Sequence, residues 1–502
     1  MQKSGNIENT FHKKKVYVQC AVLLFLLFAY SVILIFLCKR NDIWYDEAFG
    51  IVAVRNKIPE LMKMLSLDVH PPLYDLLLKG ISVLGIESFT AFRLLSAIPM
   101  ISGLAVLTFY LHKRFSFSTA VLFLLLMVAS PEILHFGVEM RMYGLAFFFV
   151  SLAAVFALEL IRCKHLLYYI LLGLSCVGAA YTHYFAGAAA VGICISTFIA
   201  CMISSTKKRT CLIQWIVLVL SMIILYSPWL SVFLRQSSEV KNNFWLREYT
   251  LTVAKDTFFF FLSQDNLLSF VLILGLVITA LIMFVIGLIK KNETVKSLLV
   301  LAFSCVFPPI LGLCVSAIVR PVFQAKYALP VLGIYGMFLA ISLTMNNRTK
   351  VLTPVLIVVA LFCFTSFYPA FQTEKEVSLS KEGERMVSDI KGLSDTPVFF
   401  HVNPQLMGCF AAYFPESEQY ILKEKLELEY FPAWEEMGKI NTDAEALSKE
   451  GTVYYVLTSY DSKEVLPKGN EKVSEWNTYR LATYFGFEIV IYKVEYDKSA
   501  PH

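Results

Sequence analysis

Five short segments of this 502-residue chain hold residue types that can do chemistry, and the first is Trp44-Tyr45-Asp46-Glu47. Adjacent carboxylates repel, which raises the pKa of one of them. A carboxylate held near a membrane surface can take the proton of a hydroxyl as a general base. The same residues also read as an interfacial aromatic anchor followed by the solvated start of a helix. The second segment is Asp68-Val69-His70-Pro71-Pro72-Leu73-Tyr74. Its prolines fix φ and stop a helix, so they would hold Asp68 and His70 rigidly. The histidine can then bind a phosphate or a metal, or simply cap a turn.

The third segment is Glu139-x-Arg141-x-Tyr143, at the mouth of an apolar run. Ionisable residues at membrane depth are costly and usually serve a purpose. Arginine offers paired donors to a phosphate; the alternative is a Glu–Arg pair that orients the loop. The fourth is Arg320-Pro321-x-Phe323-x-x-Lys326-Tyr327, with two cations between apolar runs. They suit an anion, or they snorkel to the interface. The fifth is the stretch 235–266, with Arg235, Trp245, Arg247 and Phe258–Phe261, just after Ser227-Pro228-Trp229. It can hold a lipid carrier and its head group, or form an interfacial aromatic belt.

The elements that must position these residues are apolar and long. The chain is 57% hydrophobic and 17% charged, against about 25% charged in a soluble domain. That excludes a soluble enzyme, a disordered chain and a fibrous one. A helix needs about 20 apolar residues to cross a bilayer core. Segments of that kind lie near 16–38, 89–111, 116–132, 143–161, 166–182, 184–204, 211–234, 267–289, 296–318, 327–345 and 351–369. The reading is a polytopic α-helical membrane protein with about 11 transmembrane helices. The first segment is too long for a cleaved signal peptide and lacks an A-x-A site.

Lys13–Lys15, Lys113 with Arg114, Arg162 with Lys164, Lys207–Arg209, Lys290 with Lys291, and Arg348 with Lys350 mark every second connection as basic. Basic connections stay in the cytoplasm. The expectation is a cytoplasmic N-terminus at 1–15, a transmembrane domain at 16–370, and an extracytoplasmic soluble α/β domain at 371–502. All five chemical segments then share the outer side. The tail carries 14 basic and 23 acidic residues, net −9, whereas the rest is net +14. No folded basic face is evident, so nucleic acid is not an expected partner. Of 11 cysteines only Cys409 lies in the tail, which excludes a disulfide scaffold. In the tail, 396–402, 452–459 and 487–494 read as strands, and 381–390 and 404–413 as helices.

In this order and on one side of the membrane, the motifs resemble the polytopic lipid-linked-sugar glycosyltransferases of the GT-C fold. The nearest pattern is that of glycosyltransferase family 39, the dolichyl-phosphate-mannose–protein mannosyltransferase group. Its bacterial relatives include the RgtA/B/C/D-like proteins and the aminoarabinose transferases of lipid A. The resemblance covers about residues 16–345 and rests on Asp46-Glu47, DxHPPLY at 68–74, ExRxY at 139–143, SPW at 227–229 and the 320–327 segment.

It implies an inverting transfer of a sugar, such as mannose or another hexose or pentose, from a polyprenyl-phosphate carrier to an acceptor hydroxyl on a protein, lipid or cell-envelope glycan. By resemblance, Asp46 is the base and Glu139 assists. Arg141, Arg320 and Lys326 stabilise the leaving phosphate. Glu47, Asp68, His70, Tyr143 and Tyr327 join the substrate-binding set. Relatives often carry Arg where this chain has Lys326, and a lysine is a point charge without the paired contact. No cofactor or metal is expected to be required, although Asp46, Glu47, Asp68 and His70 include hard ligands. The expected partners are the polyprenyl-phosphate-linked donor, the acceptor and membrane lipids.

Two other classes compete. A transporter or flippase of lipid-linked sugars would also have many spans, but transporters place ionisable residues near the midplane. A sensor or scaffold would use the tail as its binding module and would not need carboxylates at the membrane surface.

Overall fold

The computed structural model describes residues 2–243, 250–262, 266–345, 349–422, 439–441, 452–467, 472–481 and 488–495. Among them, nine helices are long and apolar enough to cross a membrane. They include Phe89–Arg114, Tyr143–Cys163, Tyr184–Ser204, Leu267–Ile289 and Val295–Ile318. A tenth span forms if the bent pair Phe117–Val128 and Pro131–Val138 is one crossing; the bend is 65°. Leu166–Thr182, with 17 residues, is shorter but apolar. The chain is a multi-span membrane protein, and each expected span has a helix.

The bend has a local cause. Pro131 donates no backbone hydrogen bond and disfavours α geometry in the residue before it. Ser130 accordingly turns extended and accepts the Ile133 N–H at 3.4 Å. Two stretches between the expected spans are largely helical. Residues 39–88 contain the helices Tyr45–Arg55, Ile58–Leu67 and Leu73–Val83. The 211–234 span continues to Asn243, and a further helix covers Thr250–Phe260. Residues 235–243 are polar but contain no Gly or Pro to end a helix. Trp245, Arg247 and Arg348 lie outside the described residues.

The chain divides into two compact units. One comprises Met1–Phe36, Leu94–Ser231 and Leu246–Gln372; the other comprises Leu37–Arg93, Val232–Trp245 and Thr373–His502. The second contains a six-stranded sheet of β1 (Val398–His401), β2 (Glu418–Leu422), β3 (Lys439–Asn441), β4 (Thr452–Thr458), β5 (Lys472–Tyr479) and β6 (Ile489–Glu495), in the order β3-β2-β1-β4-β6-β5. β1 runs parallel to β2 and β4, and β2 to β3, while β6 is antiparallel to β4 and β5.

Phe400, Tyr455, Leu457 and Val494 fill one face of this sheet. Phe399 packs on the other against Phe410 of the Pro404–Tyr413 helix, centroids 5.0 Å apart. The expected strands at 396–402, 452–459 and 487–494 match β1, β4 and β6, and both expected helices form. β2, β3 and β5 carry no clear strand pattern in the sequence. β2 and β3 are short, and β5 exposes most of its residues at least in part, so its pattern is weak.

Candidate active site

In the unit holding Asp46, the chain leaves the first long helix at Leu37 and enters the Tyr45–Arg55 helix through Trp44. Glu47 turns its carboxylate back onto the helix start, where Oε2 accepts the Trp44 N–H at 3.0 Å. Glu47 is fully buried, and two arginines neutralise it. Arg93 donates from Nε to Oε1 at 3.1 Å and from Nη2 to Oε2 at 2.9 Å. Arg40 Nη2 lies 3.2 Å from Oε1 and its Nη1 3.3 Å from Glu374 Oε2. Arg93 also donates to the carbonyls of Arg40 and Asp42. The Glu47 carboxylate thus ties the 37–44 turn to the Phe89–Arg114 helix, and Arg40 ties it to Glu374. Buried charges persist only when paired and hydrogen-bonded in this way.

The adjacent pair is therefore split by environment. Glu47 has no accessible surface, whereas Asp46 is half-buried. Glu47, placed in the substrate-binding set by the resemblance, is held within this ion network. The alternative of a solvated helix start does not describe it. Asp42, also fully buried, accepts from Ser380 Oγ at 3.0 Å and the Gly383 N–H at 3.1 Å. Tyr413 OH donates to the Asn41 carbonyl and accepts the Ile43 N–H, both at 2.9 Å.

The Pro404–Tyr413 helix lies against the Tyr45–Arg55 helix. Arg55 caps its end, donating to the carbonyls of Ala411 and Ala412 at 2.9 Å each. Burial holds this guanidinium below its ordinary pKa. Burial pushes the Cys409 thiol well up, and the Glu47 and Asp46 carboxylates push it further. Burial, with Asp42 next in effect, likewise raises Tyr413.

Asp68 and His70 occupy the turn between the Ile58–Leu67 and Leu73–Val83 helices. His70 Nδ1 sits 3.0 Å from Asp68 Oδ2, and both side chains retain some exposure. The preceding helix ends at Leu67, before the prolines, and Pro72 immediately precedes the next helix. The preceding helix end is held by Arg235 Nη2 on the Ser66 carbonyl at 2.8 Å and Gln236 Nε2 on that of Leu65 at 3.0 Å. Arg235 thus serves as a helix cap in this structure. Among the described residues, no group of three or more His, Cys, Asp or Glu is arranged to hold a metal ion.

In the other unit, the third and fourth segments meet. Glu139 ends the Pro131–Val138 helix, and its carbonyl accepts the Arg141 N–H at 2.7 Å, forming the turn into Tyr143–Cys163. Ser96 Oγ fixes that turn by donating to the Arg141 carbonyl at 2.8 Å. Glu139 and Arg141 are 5% and 7% exposed. Lys326 Nζ stands over the Tyr143 ring at 6.0 Å, within cation–π range. Tyr327 lies 5.0 Å from His183 and stacks on Phe185 at 5.3 Å.

Ser316 Oγ holds the 320–327 segment by accepting the N–H groups of Val322 and Phe323 at 3.1 Å. Trp229 of the SPW motif donates to Tyr184 OH at 3.2 Å. Tyr143, Lys326 and Tyr327 therefore belong to one aromatic cluster with a cation at its edge. Arg320 remains half-buried on the same segment.

Arg40, Asp42, Arg93, His183, Phe185 and Tyr413 were not among the expected site residues. Two left a signal. Arg93 is an arginine within the apolar Phe89–Arg114 run, and His183 separates two apolar helices.

No protein-family model matches the chain, and a search of curated proteins found no match. Solved structures do match. ArnT from Cupriavidus metallidurans in the apo state superposes with a TM-score of 0.65 at 12% identity, covering 96% of this chain and 98% of that one. ArnT from the same organism bound to undecaprenyl phosphate gives 0.56 at 12% identity, covering 95% and 98%. The chain has the GT-C fold, with a small C-terminal sheet domain.

Proposed function

We propose that the chain is an integral-membrane inverting glycosyltransferase that moves a sugar from a polyprenyl-phosphate carrier to an acceptor hydroxyl. The observation that carries this reading is the shared fold with ArnT along nearly the whole of both chains, one ArnT structure holding undecaprenyl phosphate. In the proposed reaction the acceptor oxygen attacks the anomeric carbon. Its proton passes to the Asp46 carboxylate, and the bond to the phosphate oxygen breaks with inversion. Negative charge then develops on the leaving polyprenyl phosphate, where fixed cations are most effective; Arg141, Arg320 and Lys326 are assigned this task. Glu139 assists, and Asp68 and His70 contact acceptor or phosphate.

Glu47 serves as the anchor that aims Asp46. It is one residue away on the same helix turn and locked by two arginines. The N-terminus is proposed to be cytoplasmic and the sheet domain extracytoplasmic. The acceptor is a protein, lipid or glycan hydroxyl, and no metal is assigned a role.

Asp46→Asn is expected to lower transfer by about 10²–10⁴-fold, the usual worth of a general base, with membrane insertion and thermal unfolding unchanged. Full transfer by this variant would remove Asp46 from the reaction. Movement of labelled carrier lipid across vesicles by purified protein, with no transfer product, would replace the reading with a flippase.

A further inference from the structure

The helices Tyr184–Ser204 and Val295–Ile318 touch at one level and part at another. At the contact, Ser196 Oγ lies 3.1 Å from Ser304 Oγ, and a Cβ on Gly192 would come within 3.0 Å of Phe307. Small residues there let the backbones approach. Towards the end of the first helix and the start of the second, a space opens between them. The space left is a groove of about 310 Å³ with Ile199, Ile203, Leu299 and Phe303 among its walls. Ile203 is 75% exposed, so the groove opens outward. Its lining is almost wholly apolar, and Ser204 and Lys296 stand at its border.

The charge around that end is one-sided. The connection after Ser204 carries Lys207, Lys208 and Arg209, and the one before Lys296 carries Lys290 and Lys291. Glu293 is the sole acidic residue in these two connections, 205–209 and 290–296. All seven are exposed.

We infer that this groove seats an acyl chain of an anionic phospholipid whose phosphate rests at Lys296 among the flanking cations. Any lipid tail would enter an apolar groove between spans. Only an anionic head group gains from basic side chains at its mouth. Discrimination by head group, at equal chain length, is therefore the signature of the site. The groove uses none of the residues assigned to sugar transfer.

Native mass spectrometry of the full-length protein in detergent tests this, with phosphatidylglycerol and phosphatidylcholine of identical chains as probes. Wild type is expected to retain phosphatidylglycerol preferentially. Lys296→Gln should weaken that retention about fivefold, the worth of one charge near an anionic head group. Ile203→Trp, an exposed position that fills the groove without changing charge, should lower retention of both lipids. Equal retention of the two lipids by wild type, or unchanged phosphatidylglycerol retention in both variants, would overturn the assignment. Sugar transfer does not enter the readout, so its loss or presence bears only on the function proposed above.

Discussion

At the scale of single residues, the Asp46-Glu47 pair shows how environment divides two identical chemistries. Glu47 spends its charge on Arg40, Arg93 and the Trp44 N–H, and Asp46 keeps accessible surface. Glu47→Ala leaves two buried guanidinium groups short of a counter-charge. Breaking such a pair costs about 3–5 kcal/mol, which thermal unfolding of the purified protein would register; a change below about 1 kcal/mol would contradict the buried network. Lys326 makes a different prediction, because its task is proposed to lie in the transition state. Lys326→Gln should lower kcat by about 10²–10³-fold with little change in unfolding temperature, and Lys326→Arg should recover much of the loss. A normal kcat in Lys326→Gln would take the lysine out of the reaction. The carboxylate pair was legible in the sequence because its residue types are rare in an apolar chain. Its division of labour was not, since Arg93 lies 46 residues away and only folding brings it to Glu47.

At the scale of elements, close approaches decide more than propensity does. Gly144 opens the Tyr143–Cys163 helix against the backbone carbonyl of Ser96, with no room for a Cβ. Ser96 is also the residue that holds the Arg141 carbonyl, so the approach fixes the ExRxY turn. Gly144→Ala should therefore destabilise by about 1–3 kcal/mol, read by thermal unfolding. Gly275, with nothing within 4 Å of its Cβ position, is the control expected to tolerate alanine. The sheet supplies a pH-dependent element. His401 ends β1 fully buried, with Nε2 2.8 Å from Gln419 Oε1 and, among the described residues, no partner for Nδ1. Burial pushes its pKa down to about 4 from 6.5. The unfolded chain then takes up a proton between those values while the folded one does not, so stability falls as pH drops from 6.5 towards 4. The single-site contribution is about 3 kcal/mol over that window. Hydrogen exchange of β1 at pH 7 and pH 4.5 should show this weakening in wild type and less of it in His401→Phe; equal loss in both would rule it out.

At the scale of the whole molecule, the proposed orientation predicts that a cysteine replacing the exposed Tyr460 is labelled by an impermeant maleimide in intact cells. Labelling only after permeabilisation would invert the topology. Long apolar runs force helices in a bilayer whatever surrounds them, because no water is present to satisfy the backbone. The multi-span architecture and each span's helix were accordingly readable from local composition alone. So were the strands at the sheet's centre, whose apolar runs announce burial. The bend at Pro131 was written locally but hidden, because it lies between two apolar helices. Other features depend on partners distant in the chain: the capture of Glu47 by Arg93, the meeting of Lys326 with Tyr143, and the capping of the Pro404–Tyr413 helix by Arg55. Periodicity reports which face of an element is buried, but not against what. Contacts across 46 to 356 residues form only after the chain has packed, and they decide which of the candidate residues are paired within the fold.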